Sequence, residues 1–88
     1  MEIQKTLQTR EDYEAAIVEL GYTNYRVETH WRGKERRHPK VFVNGLLLPD
    51  ALRKIRSLLD DNKVIYHDGM LHDTLFLIAW RARKYYDK

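Results

Sequence analysis

A chain of 88 residues has room for one domain with a small core, because at this size only about 60 to 65% of the unfolded surface is buried on folding; 43% hydrophobic residues are nonetheless too many for a disordered chain. The lack of cysteine excludes disulfides, thiolate nucleophiles and Cys-based zinc or iron–sulfur centres, and no run approaches the roughly 18 apolar residues of a membrane helix. The net charge of +3 is unevenly spread: residues 1–25 carry −3, 26–40 carry +4, 41–80 carry −1 and 81–88 carry +3.

The first predicted element is a helix. Thr9, followed three residues later by Asp12, resembles a capping box. Tyr13, Ala16, Ile17 and Leu20 recur at helical spacing and form one apolar face. Glu11, Asp12 and Glu14 sit where the helix dipole favours anions, and Gly21 occupies the usual position just past the end.

A strand follows in YRVETHWR, where Tyr25, Val27, Thr29 and Trp31 alternate with Arg26, Glu28, His30 and Arg32. A period of two implies one buried face and one wet face. Arg32 to Lys40 contains Gly33 and Pro39 and no apolar residue, so a basic inter-strand loop is expected there. VFV-NG-LLL then predicts a hairpin, since Asn-Gly suits the two positive φ angles of a type I′ turn; its arms are Lys40–Val43 and Leu46–Leu48.

Pro49-Asp50 opens a second helix, with Leu52, Ile55, Leu58 and Leu59 as its buried stripe and Arg53, Lys54, Arg56 and Ser57 facing away. Val64, Ile65 and Tyr66 predict a short strand, and Asp68-Gly69 a turn. From about Leu71 to Tyr86 a last helix carries Leu71, Leu75, Ile78, Ala79, Ala82 and Tyr86 at helical spacing. Phe76, Leu77 and Trp80 widen its apolar surface almost to a full circle. Such a helix is central to a core, or lends one face to a partner such as a second copy of the chain.

Residues 1–88 therefore read as one α+β domain: a small antiparallel sheet of three to four strands with helices packed on one face, in the order α-β-β-β-α-β-α. The first five elements, over residues 10–61, follow an order similar to that of double-stranded-RNA-binding domains. The Lys-rich start of the second helix expected in that family is replaced here by Pro49-Asp50-Ala51-Leu52.

The candidate site is cationic. Arg32, Lys34, Arg36, Arg37 and Lys40 crowd the loop, with Arg53 and Arg56 on the second helix and Arg81, Arg83 and Lys84 near the end of the last. Lys and Arg neutralise phosphates and release condensed counterions, and the planar Arg fork also suits phosphate oxygens and base faces. The first expectation is a small non-catalytic nucleic-acid-binding module, RNA slightly favoured over DNA. The alternative is a protein-interaction or inhibitor domain, of the kind phages make, set against an acidic or host protein surface. A solvated loop, and C-terminal cations that answer only the helix dipole, remain open as the plain explanation of the same charges.

A third reading concerns histidine. His30 beside the loop, with Gly21-Tyr22, His38-Pro39 and the second helix, resembles small RNA-cleaving toxins of the HicA type. That resemblance implies His30 as a general base acting on a 2′-hydroxyl, although Glu28-Thr29 stands where the family places Gly-Ser. His67-Asp68 and His72-Asp73 form the one cluster with metal or acid–base character, but their five-residue separation is not the i, i+4 spacing of a helical zinc motif. Pro39 to Gly45 is similar to the hairpin of glutaredoxins, whose chemistry a chain without cysteine cannot perform. No metal or other cofactor is expected. The N-terminal MEIQKTLQTRED lacks the charged-then-apolar pattern of a secretory leader, so the expected location is cytoplasmic.

Overall fold

The computed structural model describes residues 4–28, 31–32, 35–36 and 39–86, with the side chains of 31–32, 35–36 and 83–86 left aside. Thr9 starts α1 (Arg10–Glu19) through a complete capping box. Its hydroxyl accepts from the Asp12 N–H at 3.2 Å, and the Asp12 carboxylate accepts from the N–H groups of Thr9 and Gln8 at 3.0 and 3.1 Å. Those two donors favour the charged form and hold the Asp12 carboxyl below its ordinary range. Gly21 has φ +91°, which lets the chain leave the helix by a left-handed step that a side chain would resist.

The strands that follow are β1 (Tyr25–Glu28), β2 (Trp31–Arg32), β3 (Glu35–Arg36), β4 (Lys40–Val43) and β5 (Leu46–Leu47). β1, β4 and β5 form an antiparallel sheet in that order, and β2 and β3 pair separately as an antiparallel ribbon. The turn between β4 and β5 is the expected one: Asn44 and Gly45 have φ 51° and 79°. Asn44 also fastens the turn to the segment after α1. Its side chain donates to the Gly21 carbonyl at 3.0 Å and accepts from the Asn24 N–H at 3.1 Å, and its own N–H donates to the Asn24 carbonyl at 2.7 Å.

The second helix, α2 (Leu48–Asp61), begins directly after β5, so Leu48 opens the helix instead of ending the hairpin arm. Proline in the first turn lacks an N–H that would have no partner there. Its buried face is Ala51, Leu52, Ile55 and Leu59, close to the expected stripe. The last helix, α3 (Asp68–Tyr86), starts earlier than the apolar pattern implies. The His67 carbonyl accepts from the Leu71 N–H at 3.0 Å, and its ring Nδ1 accepts from the Met70 N–H at 3.4 Å. His67 thus caps the helix, and Asp68-Gly69 forms its first turn, not a separate bend.

The short strand expected at 64–66 is corrected to a single parallel bridge between Thr6 and Ile65. The Leu7 N–H donates to the Ile65 carbonyl at 2.9 Å and the Ile65 N–H to the Lys5 carbonyl at 2.6 Å. One isolated bridge satisfies these backbone groups without adding a fourth strand to the sheet. The architecture is α+β with a three-stranded sheet and three helices among the described residues.

Alternation along β4 sets the layers. Val41 and Val43 are buried, and Phe42 between them points the other way and is half-buried. The valine side faces α2 and α3, and α1 packs on α3. Ile17, Ile55, Leu59, Leu71 and Leu75 fill the space between, each contributing about 1.5 to 3 kcal/mol through burial. The Tyr13 hydroxyl reaches across to accept the His67 N–H at 2.8 Å. The Tyr25 hydroxyl donates to the Tyr22 carbonyl, and burial, with the Glu14 carboxylate adding, raises the Tyr25 phenol above its ordinary value. Thr74 in α3 is only 1% exposed, and its hydroxyl has no hydrogen-bond partner among the described residues. No helix among the described residues is long and apolar enough to cross a membrane.

Candidate nucleic-acid interface

The basic segment is not an unstructured loop where it is described. Trp31 stands opposite Arg36 and Arg32 opposite Glu35, so β2 and β3 make an antiparallel ribbon. The ribbon lies in sequence between β1 and β4, which are themselves paired from Tyr25↔Val43 to Glu28↔Lys40. Both ends of the cationic stretch are therefore held by one ladder. Arg32 and Arg36 belong to the ribbon by their backbone, while Lys34 and Arg37 lie outside the described residues. Lys40 is exposed at the start of β4. The buried positions expected for Thr29 and Trp31, and the histidines His30 and His38, also lie outside the described residues or side chains.

The helix cations go elsewhere. Arg53 faces Asp50 one turn away at 3.7 Å. Arg56 donates through Nε to Asp68 at 3.1 Å and so joins α2 to the start of α3. Arg81 donates to Glu14 at 2.9 Å and joins α3 to α1. Each of these arginines already holds a carboxylate of its own chain, and the three pairs sit on different contacts. Such exposed pairs contribute about 0 to 1 kcal/mol. Arg83 and Lys84 occupy the end of α3, with side chains outside the description.

The histidine–aspartate pairs are likewise used by the fold. His67 caps α3, Asp68 holds Arg56, and His72 lies beside Asp73 at 3.3 Å. The described residues contain no group of three or more His, Asp or Glu placed to hold a metal ion. Near Asp68, the Tyr66 hydroxyl donates to Asp60 at 3.1 Å, and burial followed by that bond raises the Tyr66 phenol.

Two further surface features stand out, the first of them not singled out from the sequence. On the helix-free side of the sheet, Arg26, Phe42 and Leu47 stand opposite one another on β1, β4 and β5. The Arg26 guanidinium carbon lies 4.6 Å from the Phe42 ring centroid, within cation–π range, and Glu28 holds the same guanidinium at 3.2 Å. Alternation with Val41 and Val43 was a sufficient signal to turn Phe42 outward. On α3, His72, Phe76 and Trp80 form a stacked row with ring centroids 6.5 and 5.8 Å apart. Phe76 and Leu77, with His72, Asp73 and Arg10 of α1, line a hollow of about 340 Å³.

Comparison of the chain with protein-family models, with curated proteins and with solved structures found no match.

Proposed function

We propose that this chain is a cytoplasmic, non-catalytic nucleic-acid-binding module that contacts phosphates through the basic segment 31–40. The observation that supports this is the construction of that segment as an antiparallel ribbon anchored by β1 and β4. Segment 31–40 has five Lys or Arg, of which Arg32 and Arg36 lie in the ribbon, and a paired backbone has less conformational entropy to lose on binding than a free loop. The helix arginines are not needed for this reading, since Arg53, Arg56 and Arg81 are already paired.

Binding to a short oligonucleotide, measured by fluorescence anisotropy across a salt series, tests the proposal. The logarithm of affinity falls linearly with that of salt, by about 0.7 to 0.9 per phosphate neutralised. Changing Arg36 and Arg37 together to Glu makes that slope shallower and binding weaker. Absence of binding at low salt, or a double variant that binds like the parent, removes the proposal.

A second reading is favoured by the His72–Phe76–Trp80 row and the hollow beside it. Here the α1–α3 surface is a docking site for a protein, a second copy of the chain included. Aromatic residues are enriched among interface anchors. Phe76→Ala abolishes binding to such a partner and leaves oligonucleotide binding unchanged. A complex indifferent to that substitution rejects this surface.

A further inference from the structure

We propose that the helix-free face of the sheet binds one unpaired base, stacked on the Arg26–Phe42 pair, which makes single-stranded nucleic acid the preferred ligand class. The inference rests on the reading of segment 31–40 as a phosphate contact and adds a second, base-directed contact to it.

Phe42 lies on the central strand, and Arg26 and Leu47 flank it in one cross-strand row. With strands about 4.8 Å apart the row spans about 10 Å, wide enough to underlie a single planar base. The row is not covered by a helix, because α2 and α3 pack on the valine side. Leu47 is 44% exposed. The guanidinium of Arg26 already lies over the ring at 4.6 Å and is steadied from the side by Glu28 at 3.2 Å. Its side chain is 64% exposed, so its outer surface is open to a further flat group. Guanidinium planes and aromatic rings are the two surfaces on which proteins stack unpaired bases.

Charge favours the same occupant. The described charges on this face are Arg26, Lys40 and Glu28, and Lys40 leads from the row toward the ribbon with Arg32 and Arg36. A nucleic-acid strand whose base rests on Arg26–Phe42 has Lys40, two residues from Phe42 on β4, for a phosphate, and segment 31–40 follows β1 in sequence. Within a duplex each base face is covered by its neighbours, so only a single strand, loop or bulge presents a free one.

Anisotropy with the full chain and short single-stranded RNA, single-stranded DNA and the matching duplex provides the test. Single strands bind more tightly than duplex. Phe42→Ala and Phe42→Leu each weaken single-strand binding about 5- to 150-fold, whereas Phe42→Trp retains it. The salt slope is unchanged in the Phe42 variants, since no phosphate contact is lost. Thermal melting of each variant verifies folding, which an outward-facing position tolerates. Salt-dependent binding that is indifferent to Phe42→Leu, or equal for duplex and single strand, overturns the stacking site and leaves the phosphate contact standing. No binding to any of the three overturns both.

Discussion

Replacing Thr74 by Val changes one atom of the core in kind but hardly in volume. Thr74 sits in α3, 1% exposed, with a hydroxyl that has no partner among the described residues. A hydroxyl taken out of water without a replacement bond costs about 1 to 3 kcal/mol by protein mutational measures. Val and Thr have similar helix propensities, so the backbone contribution largely cancels. Thr74→Val is therefore expected to stabilise the fold by about 1 to 3 kcal/mol. At about 4 to 8 °C per kcal/mol for a domain of this size, the melting temperature rises by at least about 4 °C. Thr74→Ser, which keeps the hydroxyl and removes the methyl, shifts it downward. Circular dichroism melts and urea titrations at neutral pH measure both, with an unchanged urea slope showing that the unfolded state is not altered. A Thr74→Val protein that melts at or below the parent temperature refutes the reasoning: the hydroxyl is then bonded, to the Met70 carbonyl one turn back or to a trapped water.

Four further outcomes follow from local structure. Thr9→Ala removes the side-chain acceptor of the capping box and lowers stability by about 0.5 to 2 kcal/mol in a urea titration. The Asp12 carboxyl is held below its ordinary value of 3.8, so its contribution is complete above about pH 4 and is lost as the pH falls through its lower folded value; the acid limb of a stability–pH curve is shallower in Asp12→Asn. The Tyr25 phenol is raised, so the unfolded chain ionises first and stability falls as the pH climbs above about 10, an alkaline loss that Tyr25→Phe reduces. Gly45→Ala meets no neighbouring atom but sits at φ +79°, and costs about 1 to 2 kcal/mol through the left-handed backbone alone, read as a drop in melting temperature.

What could be read from the chain was what depends on neighbours in sequence. Thr9, Asp12 and Gly21 bound α1 because caps act within one turn, and Asn44-Gly45 marks its hairpin because two adjacent residues carry the whole turn. The α2 stripe was legible for the same reason. Val64 to Tyr66 was not, since three consecutive apolar residues say nothing of the partner, and the partner is the distant segment around Thr6. α3 was read as starting late because Asp68-Gly69 has the composition of a turn, while its start is set by a histidine cap. The basic segment was read as a loop because a stretch without apolar residues has no periodicity to betray a ribbon. Of the candidate site, the five Lys or Arg of residues 31–40 stand out in the sequence as a cluster, and Arg32 and Arg36 fall in the ribbon. The pairing of Arg56 with Asp68 and of Arg81 with Glu14 was invisible because it depends on how helices come together. Phe42 was readable in principle, but an apolar triplet beside a tight turn looks like core on both sides.

The described core side chains come from the helices, from Val41 and Val43 of β4 and from the segments around Leu7, Tyr22 and Val64. The Glu28↔Lys40 pair closes the β1–β4 ladder, so the two ends of the intervening segment are fixed about 5 Å apart whatever its sequence. Any recognition surface that the segment forms is thus presented from one fixed end of the sheet.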